Sequence, residues 1–588
     1  MPLPCSNIQK QLFNTNNRNL YNENTYYVRN KVNTSSTWDK TTNTVTPNLN
    51  KGSILDQNRT EVHAWNFRNQ ASFNRLLGKD HEINAVAGME VDNLVTEKFT
   101  NPTSYGYNDK TLTVGTFPNG PGGAYAPIKD WQGYNETFSY TNVFTYTTQR
   151  YFSLYGNAAY TYLNKYTLSG SLRTDASNLI TDDPSYRYSP FWSLGGSWQL
   201  RKEKFMDRVA WLDQLTVRFT YGYNGNVDPT TAFRPLISTA ANPNTYTHDY
   251  TASISSYGNP TLRWEKTGSI NFGFDYSLLG GKFFGKVDLY SKQGKDLIAQ
   301  ISIPAINGTT SQKLNNAEMS NKGIELELGT HIPIRGNDIT WQGSVNFSYN
   351  KNKITNLFVA KYEAYSLTDG GTAAYVEGYD ANSSWMFQYA GVHDGQPMIK
   401  GPGDNMFDFT AWTTGDGREF MLNMGTKVAP YTLGFINSFK IYDFDFSFIL
   451  TGKFGHVFNR MSFNYPVLWG SRLLPNSKLA EVINGDPASI VPLPQNENEP
   501  RYYFWDRFYP YLSYLSENAS HIRMQEVYLG YHLPMKKIKA LGTSNVQVFL
   551  QGNDLFTVLF NDAGEDPEYP MGTINPAPKF TLGVKVGF

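Results

Sequence analysis

The sequence PKFTLGVKVGF, residues 578–588, ends the chain with a strict alternation of side chains. Alternate residues of an extended chain point to opposite faces. One face therefore carries only apolar residues, namely Phe580, Leu582, Val584, Val586 and Phe588. A last strand that is apolar on one face and polar on the other is typical of a transmembrane β-barrel, whose last strand pairs with its first. The sequence therefore predicts an all-β membrane protein.

The same alternation recurs along the chain, for example in residues 282–292 and 339–349. It predicts a transmembrane antiparallel β-barrel of about sixteen strands. The predicted strands are 22–33, 58–77, 82–99, 138–163, 165–176, 187–200, 213–225, 262–277, 282–298, 320–334, 339–356, 428–440, 444–458, 520–533, 544–558 and 579–588.

Tight turns and long polar connections alternate between these strands, as in outer-membrane barrels, which have short periplasmic turns and long extracellular loops. The predicted tight turns are Gly78 to Asp80, Asn164 to Lys165, Leu278 to Gly281, Arg335 to Asp338 and Tyr442 to Asp443. The predicted long loops are 100–135, 226–260, 299–318, 357–427, 459–519 and 559–577. Because each strand reverses the direction of the chain, the strand count places residues 383–396 in an extracellular loop, as a hairpin outside the barrel wall.

Composition agrees with this interpretation. Aromatic residues make up 15% of the 588 residues and charged residues only 17%, against about 25% charged residues in ordinary globular proteins. Tyr and Trp are favoured where hydrocarbon meets water. Since 51 basic residues balance 51 acidic ones, nothing in the charge predicts a nucleic-acid partner. Cys5 is the only cysteine, which excludes an internal disulfide framework.

No motif for catalysis, a cofactor or a metal stands out. The eight histidines are scattered without metal-ligand spacing. Asp404, Asp408 and Asp416 resemble a calcium loop, but Trp412 and Thr414 occupy positions where ligands would be needed. We therefore predict no catalytic residue, no cofactor and no metal.

The predicted long loops combine aromatic rings with hydrogen-bonding groups, a mixture that suits the capture of a sugar or a peptide. The candidate ligand-binding residues are Trp131, Tyr134, Trp412, Trp469, Trp505 and Tyr509. Trp385 is a further loop residue that would suit this role. For any single ring, the alternative is that it anchors the barrel in the lipid interface or packs the loops together.

Several blocks of the sequence resemble the SusC/RagA-like, TonB-linked outer-membrane transporters of Bacteroidota. The blocks are RYFSLYGNAAYTYLNKYTLSGSLRTDAS at 150–177, SPFWSLGGSWQLRKEKFM at 189–206, NPTLRWEKTGSINFGFDYSLLGGKFFGKVDLYSKQGKDLI at 259–298, AEMSNKGIELELG at 317–329, HIRMQEVYLGYHLP at 521–534, QGNDLFTV at 551–558, and EDPEYP at 565–570 with the closing strand. Their order and spacing match from about residue 58 to the end of the chain.

The resemblance implies a 22-stranded barrel with an N-terminal plug, a TonB-contacting segment and a SusD-like surface lipoprotein. We expect this chain to be the carboxy-terminal barrel portion, with about sixteen of those strands. Residues 1–57 would form an irregular stretch with a possible first barrel strand, and residues 58–588 the barrel. The expected location is the outer membrane of a Gram-negative, Bacteroidota-like cell, in contact with its lipids.

The function implied is TonB-dependent import of nutrients, with glycans or oligosaccharides first and peptides next, and no enzymatic activity. A passive porin or a surface adhesin would show the same alternating strands and aromatic loops. A large soluble β-sandwich is a further alternative. A polysaccharide-active enzyme on a β-solenoid would need a fixed repeat and paired carboxylates, and the sequence shows no such repeat.

Overall fold

The alternating segments form long antiparallel strands in the computed structural model. The structure describes residues 3–115, 128–136, 138, 142–239, 244, 246–307, 309, 311–336, 338–359, 361–368, 375–393, 396–408, 413–460, 508–534, 545–569, 573 and 575–587. Two compact units divide the chain. Unit 1 comprises residues 1–73, 86–156 and 174–179, and unit 2 comprises residues 74–85, 157–173 and 180–588.

A single large sheet contains seventeen strands. In chain order they are β1 Leu3–Tyr21, β2 Ser53–Leu77, β3 His81–Thr100, β4 Ser104–Tyr107, β5 Val143–Tyr162, β6 Tyr166–Ser177, β7 Ser189–Gln199, β8 Leu212–Asn226, β9 Glu265–Leu278, β10 Phe283–Ser302, β11 Ser311–Arg335, β12 Ile339–Leu357, β13 Tyr431–Ile441, β14 Phe444–Phe454, β15 His521–His532, β16 Asn545–Leu559 and β17 Lys579–Gly587.

The predicted strands from 58–77 onward are confirmed, but the predicted strand at 22–33 is wrong. Residues Tyr26–Thr34 form an α-helix, which begins after Thr25, whose side chain accepts a hydrogen bond from the backbone amide of Val28. The aromatic and β-branched residues favoured a strand, but this polar cap starts a helix instead. Strand β1 was not predicted, because its Asn-rich sequence has no clean alternation; it pairs with β2 from Leu3↔Ser72 to Tyr21↔Ile54.

The tight turns predicted between wall strands are confirmed. The predicted long loop at 299–318 is wrong, because β10 continues to Ser302 and β11 already begins at Ser311. Residues 383–396 lie outside the large sheet, as predicted, but the prediction of a single hairpin there is wrong. Ser383–Phe387 pairs with Met421–Thr426, whereas Tyr389–His393 pairs with Gln396–Lys400. The strands Ser383–Phe387, Tyr389–His393 and Gln396–Lys400 belong to two small sheets.

The remaining short elements belong to the connections. The strands are Ser36–Asp39, Thr44–Pro47, Ile128–Lys129, Asn135–Glu136, Leu236–Thr239, Ala252–Ser256, Met406–Phe407, Met421–Thr426, Val457–Asn459 and Ser516–Asn518; the helices are Pro184–Arg187 and Ala364–Leu367; the 3-10 turns are Leu200–Lys202, Lys204–Met206, Ala305–Asn307, Pro402–Asp404, Gly417–Phe420, Tyr509–Tyr511 and Ser513–Leu515.

Within unit 2, β7 to β17 form an unbroken antiparallel meander, in which each strand pairs with the next strand in sequence. The register aligns apolar residues into rows that cross the strands. One row is Val217, Phe274, Val287, Leu326, Phe347 and Leu433. Another is Trp341, Phe439, Phe446, Leu529, Leu550 and Leu582. Many large residues of this apolar face are exposed, Leu582 at 77%.

A β-bulge in β15 keeps these rows continuous. Apolar residues alternate in one phase at Ile522 and Met524 and in the opposite phase from Val527 onward. The register with both neighbouring strands shifts here, since Met524 pairs with Leu450 whereas Glu526 pairs with Ile449. The extra residue is Gln525. It restores the apolar residues to one face.

Aromatic rings lie over glycines on neighbouring strands. The directly opposed pairs in the meander are Tyr223↔Gly268, Tyr276↔Gly285, Phe284↔Gly329, Tyr290↔Gly323 and Phe549↔Gly583. A Cβ atom added at Gly323 would lie 2.6 Å from Cζ of Tyr290 and closer still to the carbonyl oxygen of Tyr349. Glycine is therefore required at this position by packing.

We predict that Gly323→Ala lowers the free energy of unfolding by about 1–3 kcal/mol, because the added methyl group overpacks the sheet. Gly434→Ala is the matched control, since its Cβ would meet nothing nearer than 3.7 Å; its effect should stay within about 0.5 kcal/mol. Urea unfolding of the two variants in detergent micelles measures the difference. Equal midpoints would contradict the packing argument.

Candidate functional site

Opposite the apolar rows, the meander of unit 2 carries continuous polar rows. One row is Thr216, Asp275, Lys286, Glu327, Asn346, Gly434, Thr451 and Arg523. The adjacent row is Arg218, Gly273, Asp288, Glu325, Ser348, Thr432, Lys453 and His521. We call this surface the polar face. Because one register fixes both faces, the strand pairing that exposes apolar residues on one side brings these groups together on the other.

The charges of the polar face form ion pairs across strands. Arg218 on β8 makes two parallel hydrogen bonds to Asp275 on β9, at 2.8 and 2.9 Å. The same guanidinium lies 3.3 Å from a carboxylate oxygen of Asp288 on β10. Lys286 and Glu327 pair at 3.0 Å between β10 and β11. The polar face therefore presents both signs of charge in mutually neutralising groups.

Hydrogen-bonding amides and phenols extend the polar face beside these ion pairs. The hydroxyl of Tyr290 donates to Asn350 at 3.1 Å. The amide of Asn352 donates to Asn321 at 2.8 Å. A surface of this composition can exchange hydrogen bonds with a polar solute without presenting one dominant charge.

The acidic segment 565–569 folds back onto the polar end of β15. Arg523 is buried and pairs with Asp566 at 2.9 Å and with Glu568 at 3.1 Å. Its guanidinium also lies over the ring of Tyr569, 5.3 Å from the centroid. Lys453 donates to Glu568 as well. These contacts fix part of the connection between β16 and β17 against the sheet.

The same contacts set the ionisation of Glu568. Burial alone would raise the pKa of this carboxyl, but the hydrogen bond from Lys453 and the electrostatic influence of Lys453, His521 and Arg523 outweigh it and hold the pKa below its usual value. Glu568 is therefore an anion at neutral pH, which keeps the ion-pair cluster formed.

His456, in the connection after β14, is a buried neutral base beside this cluster. Burial, with smaller contributions from His521 and Lys453, lowers its pKa to about 4. Its Nδ1 atom has no hydrogen-bond partner in the described part of the chain. Its carbonyl oxygen accepts a bond from the amide of Ala519 at 2.9 Å. The imidazole is thus neutral at physiological pH.

Of the aromatic residues predicted as ligand-binding, Trp131 and Tyr134 lie together in unit 1. They occupy one turn between the paired strands Ile128–Lys129 and Asn135–Glu136. The buried Asp130 organises the turn, because its carboxylate accepts hydrogen bonds from the amides of Gln132 and Tyr134 at 2.9 and 2.8 Å. Both rings are exposed, Tyr134 at 63%.

Of the other predicted binding residues, only Tyr509 belongs to the described part of the chain. Trp412, Trp469 and Trp505 lie outside the described residues, and Tyr509 begins the 3-10 turn Tyr509–Tyr511. Trp385 is buried in an apolar cluster with Phe387 and Phe420, which share its connection between β12 and β13, and with Phe508 from the connection between β14 and β15. For Trp385 the loop-packing alternative is therefore correct.

Sequence reasoning missed the Arg218 and Arg523 clusters. A signal was present, since their charges occupy the polar positions of alternating strands and the EDPEYP block supplies two of the acids. Among the described residues, no group of three or more His, Cys, Asp or Glu side chains could hold a metal ion. In the same residues, no helix is long and apolar enough to cross a membrane.

The profile of the family described as "TonB dependent receptor-like, beta-barrel" matches residues 6–475. The chain belongs to this family of TonB-dependent receptor barrels. The predicted fold class, an antiparallel β-barrel of the TonB-dependent type, is thereby confirmed. The large sheet has one strand more than the sixteen or so predicted.

Two similar relatives are the TonB-dependent receptor P26 of Formosa agariphila and the TonB-dependent receptor SusC of Bacteroides thetaiotaomicron. P26 is 25% identical over 554 residues, which is 89% of this chain and 52% of P26. SusC is 26% identical over 465 residues, which is 74% of this chain and 43% of SusC. The chain thus spans about half the length of the curated relatives it matches.

The fold is similar to that of the RagAB peptide transporter. A solved chain of that transporter superposes with a TM-score of 0.72 and 22% identity, over 100% of this chain and 60% of the solved one. The resemblance to SusC/RagA-like transporters is confirmed by these matches. This TonB-dependent receptor barrel therefore shares its fold with a chain of the RagAB transporter. It carries the Arg218 and Arg523 clusters on its polar face.

We predict that Arg523→Gln lowers the free energy of unfolding by about 3–5 kcal/mol, because it leaves Asp566 and Glu568 without their buried cation. Arg234→Gln is the matched control. Arg234 pairs with Asp182 at 2.6 Å, but both side chains are largely exposed, so its loss should cost under about 1 kcal/mol. Urea midpoints measure both, and similar midpoints for the two variants would contradict a structural role for Arg523.

We predict that stability falls as the pH drops from about 6.5 towards 4, because the unfolded His456 takes up a proton in this window and the folded one does not. Between pH 6.5 and 5 the loss should be about 1–2 kcal/mol. His456→Gln should flatten this slope, whereas His393→Gln, at an exposed hairpin position, should keep it. Thermal midpoints across the pH range measure the effect; an unchanged slope in His456→Gln would show that another group titrates.

Proposed function

We propose that this chain forms part of the barrel wall of a TonB-dependent nutrient importer in the outer membrane of a Gram-negative bacterium. In this proposal the apolar face contacts lipid and the polar face lines the passage. The energy for transport comes from TonB, acting through a plug, and no covalent bond of the solute changes. The chain is accordingly not an enzyme.

The observation that carries the proposal is the register of the meander in unit 2. Rows of exposed apolar side chains on one face, including Leu289, Leu550 and Leu582, are backed by rows of charged and amide side chains on the other. Exposed apolar rows of this extent are costly in water. Lipid outside and an aqueous passage inside satisfy both faces.

The chemistry of the polar face and of the turn at Trp131 and Tyr134 supports a proposal for the solute class. Paired charges of both signs and amides favour a solute that is rich in hydrogen-bonding groups and carries little net charge. Two exposed rings suit stacking against sugar faces or peptide side chains. We propose oligosaccharides as the first solute class and peptides as the second.

Two partners belong to the proposal. A SusD-like surface lipoprotein would cover the loop side, as the similarity to SusC and RagAB suggests. TonB would engage the transporter through a segment on the N-terminal side of the barrel. A passive porin is the competing function, since it needs the same two faces but neither partner.

We predict that the full-length protein supports growth on its solute only in cells that carry TonB. Trp131→Ala with Tyr134→Ala should weaken solute binding roughly tenfold or more, if each stacked ring contributes about 1 kcal/mol. Tyr246→Ala, another exposed loop tyrosine, is the control and should bind normally. Calorimetry with oligosaccharide and peptide pools, together with growth assays, measures these effects.

Three outcomes would contradict parts of this proposal. Uptake that persists without TonB would indicate a porin. Surface attachment without uptake would indicate an adhesin. Unchanged affinity in the double variant would remove Trp131 and Tyr134 from the binding site while leaving the transport function intact.

A further inference from the structure

A cluster of lysines occupies the apolar face of unit 2 on four adjacent strands. Lys322 on β11 directly opposes Lys351 on β12, and Lys353 lies one alternate position further along β12, opposite Ser320. A second pair, Lys266 on β9 and Lys295 on β10, is also directly opposed. We call these five residues the lysine band.

The lysine band continues the apolar rows. Alternation places Lys322 on the same face as Ile324 and Leu326, and Lys351 on the same face as Tyr349. Lys322 and Ile324 are consecutive residues of this face and lie about 7 Å apart along the strand. The band thus begins where the apolar face ends.

The band lies in the half of the strands that is away from the tight turns. Strands β9 and β10 are joined by the turn at residues 279–282, and β11 and β12 by residues 336–338, whereas the lysines lie towards the opposite ends. The proposed function makes that end the extracellular one, because long connections lie outside in this class of barrel.

Within the described residues, no acidic side chain neutralises the positive charge of the band. Directly opposed like charges in an antiparallel pair are destabilising. In the part of the chain that the structure describes, no carboxylate lies within 4.0 Å of any of the five ammonium groups; Glu318 shares their face but forms no ion pair. Lys295, Lys322, Lys351 and Lys353 are exposed.

Hydrogen-bonding groups surround the charges. Ser291, Gln293 and Ser320 occupy the same face between the lysines, and Gln293 donates to Thr355 at 3.2 Å. Ammonium groups combined with hydroxyls and an amide suit a phosphate, whose oxygens accept several hydrogen bonds.

We propose that the lysine band binds the phosphate groups of lipids in the outer leaflet of the membrane. This inference rests on the proposed function, which places lipid against the apolar face. A lipid is favoured over a free anion because the band adjoins the apolar rows, so that one molecule can place acyl chains on Ile324 and Leu326 and its phosphate on Lys322 and Lys351. Bound phosphate relieves the repulsion between the opposed lysines.

The test compares Lys322→Gln/Lys351→Gln/Lys353→Gln with Lys79→Gln/Lys282→Gln/Lys440→Gln in the full-length protein. Both triple variants lose three positive charges, but the control residues lie at the tight-turn ends of their strands and are exposed. Binding of fluorescent lipopolysaccharide to each protein in neutral detergent micelles gives the affinity. Dephosphorylated lipopolysaccharide and inorganic phosphate are the competitors.

We predict that the band variant binds lipopolysaccharide roughly 100-fold more weakly, since each lysine near an anionic lipid contributes about a factor of five. The control should bind like the unmodified protein. Dephosphorylated lipid and inorganic phosphate should both compete poorly, which would support recognition of phosphate on a lipid.

Equal binding by the two triple variants, or equal competition by dephosphorylated lipid, would overturn the inference. Strong competition by inorganic phosphate alone would also overturn it, because the site would then select a free anion. Insertion of the unmodified protein into lipid nanodiscs separates this result from the proposed function: a protein that fails to insert contradicts the function, whereas one that inserts without phosphate preference contradicts only the lysine band. Heat-modifiable migration on gels confirms that each variant is folded.

Discussion

The structure depends on the phase between neighbouring strands, that is, on the register that decides which face of the sheet each side chain occupies. Backbone hydrogen bonding fixes which residues oppose each other, and a slip of one residue would turn every side chain of a strand to the other face. In the meander of unit 2 this phase is kept over eleven strands, from Ser189–Gln199 to Lys579–Gly587. The bulge at Gln525 shows how strictly the phase is kept. The alternation of the sequence changes phase at this point, and without the bulge Val527 and Leu529 would lie among the polar rows.

The phase also links the two faces chemically. The pairing that brings Leu326 beside Val287 brings Glu327 beside Lys286 on the opposite side. Apolar contact and charge neutralisation are therefore not independent features, since the pairing that produces one produces the other. A passage lined by paired charges presents little net field to a polar solute, which agrees with the proposed import of neutral, hydrogen-bonding molecules.

The strands could be predicted from the sequence because alternation is a local property, visible in segments such as Lys579–Gly587. The helix Tyr26–Thr34 could not, since its start depends on a single cap at Thr25 within a segment of strand-forming residues. Strand Leu3–Tyr21 escaped prediction because it is held by pairing with distant residues and not by its own pattern. The domain boundary at residue 57 stays a prediction.

The candidate site was less predictable than the fold. Trp131 and Tyr134 share a turn as their spacing suggests, but Trp385 is buried, and aromatic composition does not distinguish the two situations. The Arg523 cluster joins residues forty-three and forty-five positions apart in the chain, and the Arg218 cluster joins three strands. Such contacts follow from register, which a single sequence does not reveal.

The rings that cover glycines have a consequence for how such a sequence can change. Tyr290 and Gly323 fill one shared volume from two strands, so enlarging the glycine requires shrinking the ring at the same time. Neither substitution alone leaves the volume well filled. The two positions should therefore change together among related sequences. Such covariation would identify neighbouring strands even in relatives whose overall sequence identity is low.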